Sequence, residues 1–123
     1  MNGVTERVKR GAALLDEKDP GWWGAIDLGK LDLRSKCDCV LGQLGAQRFG
    51  TTLHPYIDGL SEIARLSPLR APDYGFDAGI DPDDYEHGSV EDGEEAVRRE
   101  FASLTEAWRD LITRRQELAA APA

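Results

Sequence analysis

The chain has 123 residues, 41% of them hydrophobic, which suits one globular domain with a modest core and argues against wholesale disorder. No apolar run approaches the ~18 residues of a membrane span. The longest near the N-terminus is Ala12–Leu15, and the charges at Glu6, Arg7, Lys9 and Arg10, with no apolar stretch behind them, argue against a secretory signal. The expected setting is therefore cytoplasmic and reducing, with both thiols free.

The net charge of −8 is unevenly placed. Ten acids and no Lys or Arg lie between Asp73 and Glu95, so thirteen of the 23 acids are left against all 15 bases elsewhere. A nearly neutral body thus carries one acidic segment. Such a segment repels phosphates, which disfavours direct nucleic-acid binding, and its natural complement is a basic partner surface.

In chain order, Val4, Val8, Ala12 and Leu15 recur at helical spacing, with Thr5 as a possible cap, and Asp19-Pro20-Gly21 ends that helix. Trp22 and Trp23 are adjacent and cannot both face the core; one is expected inside, and Trp23 is the candidate partner contact. Ile26–Leu33 reads either as a hairpin around Gly29-Lys30 or as a helical turn capped by Asp27. The hairpin would set Asp27 against Asp32, so the capped turn is preferred, with Leu28 and Leu31 inward.

Ser35 has the chemistry of an N-cap, and Asp38 stands three residues on. A helix from Ser35 would put Cys37, Val40, Leu41 and Leu44 on one buried face and turn Cys39 away beside Gln43. The two sulfurs then cannot share a metal or a disulfide. A zinc set of Cys37, Cys39, His54 and His87 is also disfavoured by spacing, since such cysteines are normally two to four residues apart and their histidines close together. Gly42 and Gly45 would admit another helix at close range. Leu53–Leu66 reads as a second amphipathic helix, with Tyr56, Ile57, Leu60, Ile63, Ala64 and Leu66 in periodic array and His54-Pro55 at its start.

Residues 68–93 form a Pro- and Gly-punctuated acidic stretch, expected to be a long irregular connection pinned by Tyr74, Phe76, Ile80 and Tyr85. Asp81-Pro82-Asp83 resembles the opening of a calcium loop, but neither register puts Gly and the oxygen ligands where such a loop needs them. No phosphate-binding loop or nucleophile elbow is present, and neither histidine has a recognisable catalytic partner. Glu94–Ala119 is the last helix, with Val97, Phe101, Leu104, Trp108, Leu111, Arg115 and Leu118 at heptad-like steps and a short tail, residues 119–123, expected to fray. That stripe is either an ordinary core face or the seam of a homodimer.

Four phrases, GAALLDEKDPGWWGAIDLGKLDL, CDCVLGQL, YGFD and LTEAWRDLI, together resemble a family of short proteins found in phages of actinobacteria and in their hosts, with no established activity. The resemblance covers Gly11–Leu44 and Tyr74–Ile112. It implies a phage accessory protein acting inside a bacterial cell, and it brings no catalytic residues.

The expectation is a mainly α, single small domain, 1–123, of about four to five helices with one long acidic irregular connection. The expected core is Val8, Leu15, Trp22, Leu28, Leu31, Cys37, Val40, Leu41, Leu44, Ile57, Leu60, Ile63, Phe101, Leu104, Trp108 and Leu111. The expected function is non-enzymatic: the protein binds and modulates a bacterial host protein, with anti-defence inhibition as one form. Asp77, Asp81, Asp83, Asp84, Glu86 and Trp23 would contact a basic partner surface, with no cofactor, metal, membrane or direct nucleic acid, as a monomer or homodimer. The alternative is a small virion or assembly component that self-associates through the last helix, and a metal- or thiol-dependent enzyme is a third class, resting only on Cys37 and Cys39.

Overall fold

A computed structural model describes residues 3–50, 53–79 and 90–120. They are mainly helical, with no strand among them. The elements are α1 (Val4–Lys18), a 3-10 turn at Trp22–Ala25, α2 (Val40–Phe49) and α3 (Pro55–Asp58), which continues as a π-helical turn over Gly59–Ala64. A 3-10 stretch at Pro68–Tyr74 and the long α4 (Val90–Ala120) complete the chain. No helix among the described residues is long and apolar enough to cross a membrane.

α1 buries Val8, Ala12 and Leu15, the face its periodicity predicts, although its N-cap is Gly3 and not Thr5. It runs beside α4 in the same direction: Arg7 pairs with Glu100, Gly11 meets the Trp108 ring, and Asp16 pairs with Arg115. Gly11 sets how closely the layers approach. A Cβ there would stand 2.0 Å from the Tyr74 carbonyl oxygen.

The core is organised around Trp108, which is fully buried. Phe76 stacks on it at 5.5 Å, and Trp22 meets it edge-on at 5.7 Å. Trp108 Nε1 donates to the Gly75 carbonyl (2.7 Å), so the ring is also tied to the chain that leads into the acidic segment. On α4 the buried stripe is Leu104, Trp108 and Ile112, in steps of four. At ~100° per residue each step of four turns the stripe ~40° around the helix, away from the line of a heptad. Leu111 is therefore only partly buried and Leu118 is 75% exposed, while Leu104 and Trp108 are consumed by this chain's own core.

Much of the stretch between α1 and α2 lacks regular structure, so side chains must satisfy its backbone. Asp27 caps a turn, its Oδ1 accepting from Gly29 N, with Leu31 buried and Leu28 half-buried, as the capped-turn reading requires. Buried Gln43 accepts from Asp27 N and donates to the Asp27 and Asp38 carbonyls. From α4, Thr105 Oγ1 accepts from Leu33 N, Arg109 donates to the Leu31 carbonyl, and Gln116 donates to those of Trp23 and Ile26.

The expected helix start at Ser35 is corrected. Ser35 Oγ does accept from Cys37 N and Asp38 N, but it caps one isolated turn. α2 starts afresh at Val40, with Cys39 as N-cap and its sulfur accepting from Gly42 N at 3.2 Å. The new start exchanges the thiols: Cys39 is buried and Cys37 exposed. Glycines let α2 and α3 cross closely, as expected of Gly45, where a Cβ would stand 2.1 Å from the Pro55 carbonyl oxygen; at Gly59 it would stand 2.3 Å from that of Leu41.

The helix expected over Leu53–Leu66 forms as α3 and its π turn. It buries Tyr56, Leu60, Ile63 and Ala64 and leaves Ile57 and Leu53 exposed, so Ile57 is not a core residue. The described part of residues 68–93 is less irregular than expected. Pro68–Tyr74 is a 3-10 stretch and α4 starts at Val90 instead of Glu94; Ile80 and Tyr85 lie outside the described residues.

Candidate partner-binding site

The start of the acidic segment is held to the body by a tight set of contacts. Arg7, buried at 9% exposure, pairs with Glu100 on α4 and donates through Nη1 to the Pro72 carbonyl. Glu100 Oε2 accepts from Gly79 N at 2.7 Å, so one carboxylate joins α1, α4 and the segment's entry. Arg10 donates to the Asp73 carbonyl. Phe76, stacked on Trp108, anchors the same stretch from beneath.

Asp77 belongs to this anchorage. Its Oδ2 lies 3.8 Å from Lys36 Nζ and its Oδ1 accepts from Ala78 N. Lys36 Nζ also sits 4.2 Å from the centroid of the Tyr56 ring, a cation–π contact. Burial, reinforced by the charge of Asp77, pushes the Tyr56 phenol well above its ordinary range. Lys36, Tyr56 and Asp77 thus bring the turn before α2, the start of α3 and the segment's entry together. Asp77 is the one predicted docking acid whose environment is described; it is half-buried and paired with Lys36. Sequence periodicity missed the group, because Lys36 and Asp77 carry no apolar pattern; the nearest signal was Tyr56 at a buried helical position.

Asp81, Asp83, Asp84 and Glu86 lie outside the described residues. Beyond them, Glu91, Asp92, Glu94 and Glu95 occupy the first two turns of α4. Acids there favour the helix through its dipole, so part of the acidic run has a structural reason. Glu95 also pairs with Arg98 and Arg99.

Trp23 is half-buried in the 3-10 turn, and Trp22 is the core partner, donating from Nε1 to Asp16 Oδ1 at 3.0 Å. Trp23 and the acidic entry do not come together. The Trp23 carbonyl is held by Gln116 and Gly79 by Glu100, positions separated by about 24 Å of helix axis at 1.5 Å per residue.

The thiols divide as their burial dictates. Burial pushes the Cys39 thiol up to about 11, and its sulfur is held between Gly42 N and the Lys36 carbonyl. It is a packing and capping residue and a poor nucleophile at neutral pH. No group of three or more His, Cys, Asp or Glu among the described residues could hold a metal ion. Comparison with protein-family models, with curated proteins and with solved structures gives no match to this chain.

Proposed function

We propose that this chain is a non-enzymatic interaction module that binds and modulates a bacterial host protein, docking its acidic segment on a basic partner surface. The observation that carries the reading is the segregation of charge: ten acids and no base between Asp73 and Glu95, in a chain whose remaining residues are close to neutral. The anchorage supports it. Arg7, Glu100, Phe76 and the Lys36–Asp77 pair hold the start of the segment, up to Gly79, against the body. Asp81, Asp83, Asp84 and Glu86 are the docking acids, with Asp77 as an anchor. A basic surface that otherwise binds nucleic acid has the matching charge, and blocking one is how such a module would act as an anti-defence inhibitor. The phage setting rests on the sequence resemblance alone.

The test is a pull-down of tagged protein from actinobacterial lysate at low and high salt, followed by association kinetics with the captured partner. Replacing Asp81, Asp83 and Asp84 with Asn and Glu86 with Gln removes four charges. The variant should associate more slowly and with a weaker salt dependence, with stability unchanged or slightly higher. A wild-type affinity insensitive to salt, or a neutralised variant that associates as fast as wild type, refutes the electrostatic basis.

A further inference from the structure

Along the seam where α1 and α4 run side by side, the surface opens into a groove of about 340 Å³. Val8, Ala107, Leu111 and Leu118 line it, and Asp110 and Arg114 stand at its edge. Ala107, Leu111, Arg114 and Leu118 fall within about 60° of one another around the helix, so they form one stripe beside the buried one. Leu118, at 75% exposure, is among the most exposed large apolar side chains of the described residues.

We propose that this groove is the interface of a homodimer, in which a second copy lays its own α4 antiparallel across the seam. The charges along the stripe identify the occupant. Glu106 and Asp110 lie toward its N-terminal end and Arg114 toward its C-terminal end, and all three are exposed. Turned end for end, with the twofold axis level with Ile112, each Asp110 faces the other copy's Arg114, and each Leu118 reaches the other copy's Ala107. A parallel copy would set Asp110 on Asp110 and Arg114 on Arg114, which is unfavourable. The surroundings carry both signs in nearly equal number: Lys9, Arg114 and Arg115 stand with Asp16, Glu106, Asp110 and Glu117. In a chain of net charge −8, this is a face on which two copies can meet without strong repulsion. It differs from the seam expected from the heptad pattern, because Leu104 and Trp108 are already buried within the chain.

Sedimentation equilibrium from low to high micromolar concentration tests the proposal. The mass of the wild type should rise from 13.5 kDa toward twice that value. Leu118→Asp should stay monomeric with an unchanged circular dichroism spectrum, since an exposed side chain is being replaced. Asp110→Arg should weaken the dimer about tenfold or more by setting Arg against Arg, and adding Arg114→Asp should restore it. A wild type that remains monomeric throughout, a Leu118→Asp variant that dimerises like wild type, or a double variant no tighter than Asp110→Arg would each overturn the proposal. None of these readings depends on the acidic segment: loss of partner binding with an intact dimer would sink only the docking reading, and the reverse outcome only this one.

Discussion

Trp108 is where the packing of the domain and the placement of its acidic segment meet, and two substitutions there separate the contributions. Trp108→Ala removes a fully buried indole together with its stacked and edge-on contacts to Phe76 and Trp22. Truncation of a buried Trp costs about 3–5 kcal/mol in transfer and cavity terms. The Gly75 carbonyl also loses its Nε1 donor, adding about 1–3 kcal/mol if water does not replace it. A total of about 4–8 kcal/mol, set against a stability of about 5–15 kcal/mol, leaves this variant unfolded or close to it. Trp108→Phe keeps an aromatic ring and loses the donor, so its cost should lie near about 1–3 kcal/mol, with some cavity cost added. Urea unfolding followed by circular dichroism measures both, provided the slope of the transition is unchanged. If Trp108→Ala unfolds within about 1 kcal/mol of wild type, the indole does not organise the core. If Trp108→Phe costs as much as Trp108→Ala, the hydrogen bond to Gly75 outweighs the ring contacts.

The cysteines give a second test: Cys39→Ala should destabilise, since it removes a buried side chain and the cap of α2, whereas Cys37→Ala should be nearly silent. An alkylating reagent should label Cys37 in the native protein and Cys39 only on unfolding. Because burial holds the Cys39 thiol up at about 11, the stability it contributes is complete below the ordinary thiol value of about 8.5 and is lost as pH rises toward about 11, a loss on the order of 3 kcal/mol. Cys39→Ala should flatten that alkaline limb, and an unchanged limb would count against the assignment. Gly11→Ala gains about 1 kcal/mol of helix propensity but drives a methyl against the Tyr74 backbone oxygen, so net destabilisation is expected, with Gly24→Ala, whose Cβ would meet nothing within 4 Å, as the control. The Arg115 hydrogen bonds hold the Asp16 carboxyl below its usual range, so the stability they contribute is present above about pH 4 and lost as pH falls through the depressed value. Arg115→Gln should shallow the acid limb only slightly, because Asp16 is partly exposed and the pair is screened.

Periodicity made the helices and most of the core legible, and it failed where one residue of register decides a face. On α4 the apolar residues Leu111 and Ile112 are adjacent, and over a few turns the choice between a 3.5 and a 3.6 repeat is finely balanced. α4 buries Ile112, on the side toward which its steps of four turn, and leaves Leu111 only partly buried. Before α2 the failure had another cause. Ser35 behaves locally as a cap, but the chain closes back on itself through Asp32 N and the Asp38 carbonyl, and Gln43 holds that return. The helix then restarts with a sulfur at the N-cap, where oxygen side chains and Gly are preferred, so local sequence offered no signal for it. The polar side chains Thr105, Arg109 and Gln116, which hold the stretch between α1 and α2, were invisible for a related reason. They belong to no apolar pattern, although their steps of four and seven set them in one row along α4.

The bases of the body are largely engaged within it. Arg7 meets Glu100, Arg48 meets Asp19, Arg115 meets Asp16, and Arg10 and Arg109 donate to carbonyls of the chain segments they cross. Even Lys36, beside the acidic segment, is shared between Tyr56 and Asp77 at its entry. The excess of acid is therefore local, and a polyion concentrated in one short stretch attracts a basic surface strongly at low salt and loses that attraction as salt rises. The α1–α4 groove is apolar with charges of both signs around it, while the two acidic segments a dimer would carry repel each other. Moderate salt should then leave dimerisation unchanged or favour it while it weakens docking. Salt titration of the two processes side by side, with a steep loss expected for docking and none for dimerisation, would separate the surfaces; parallel losses would mean that one surface serves both.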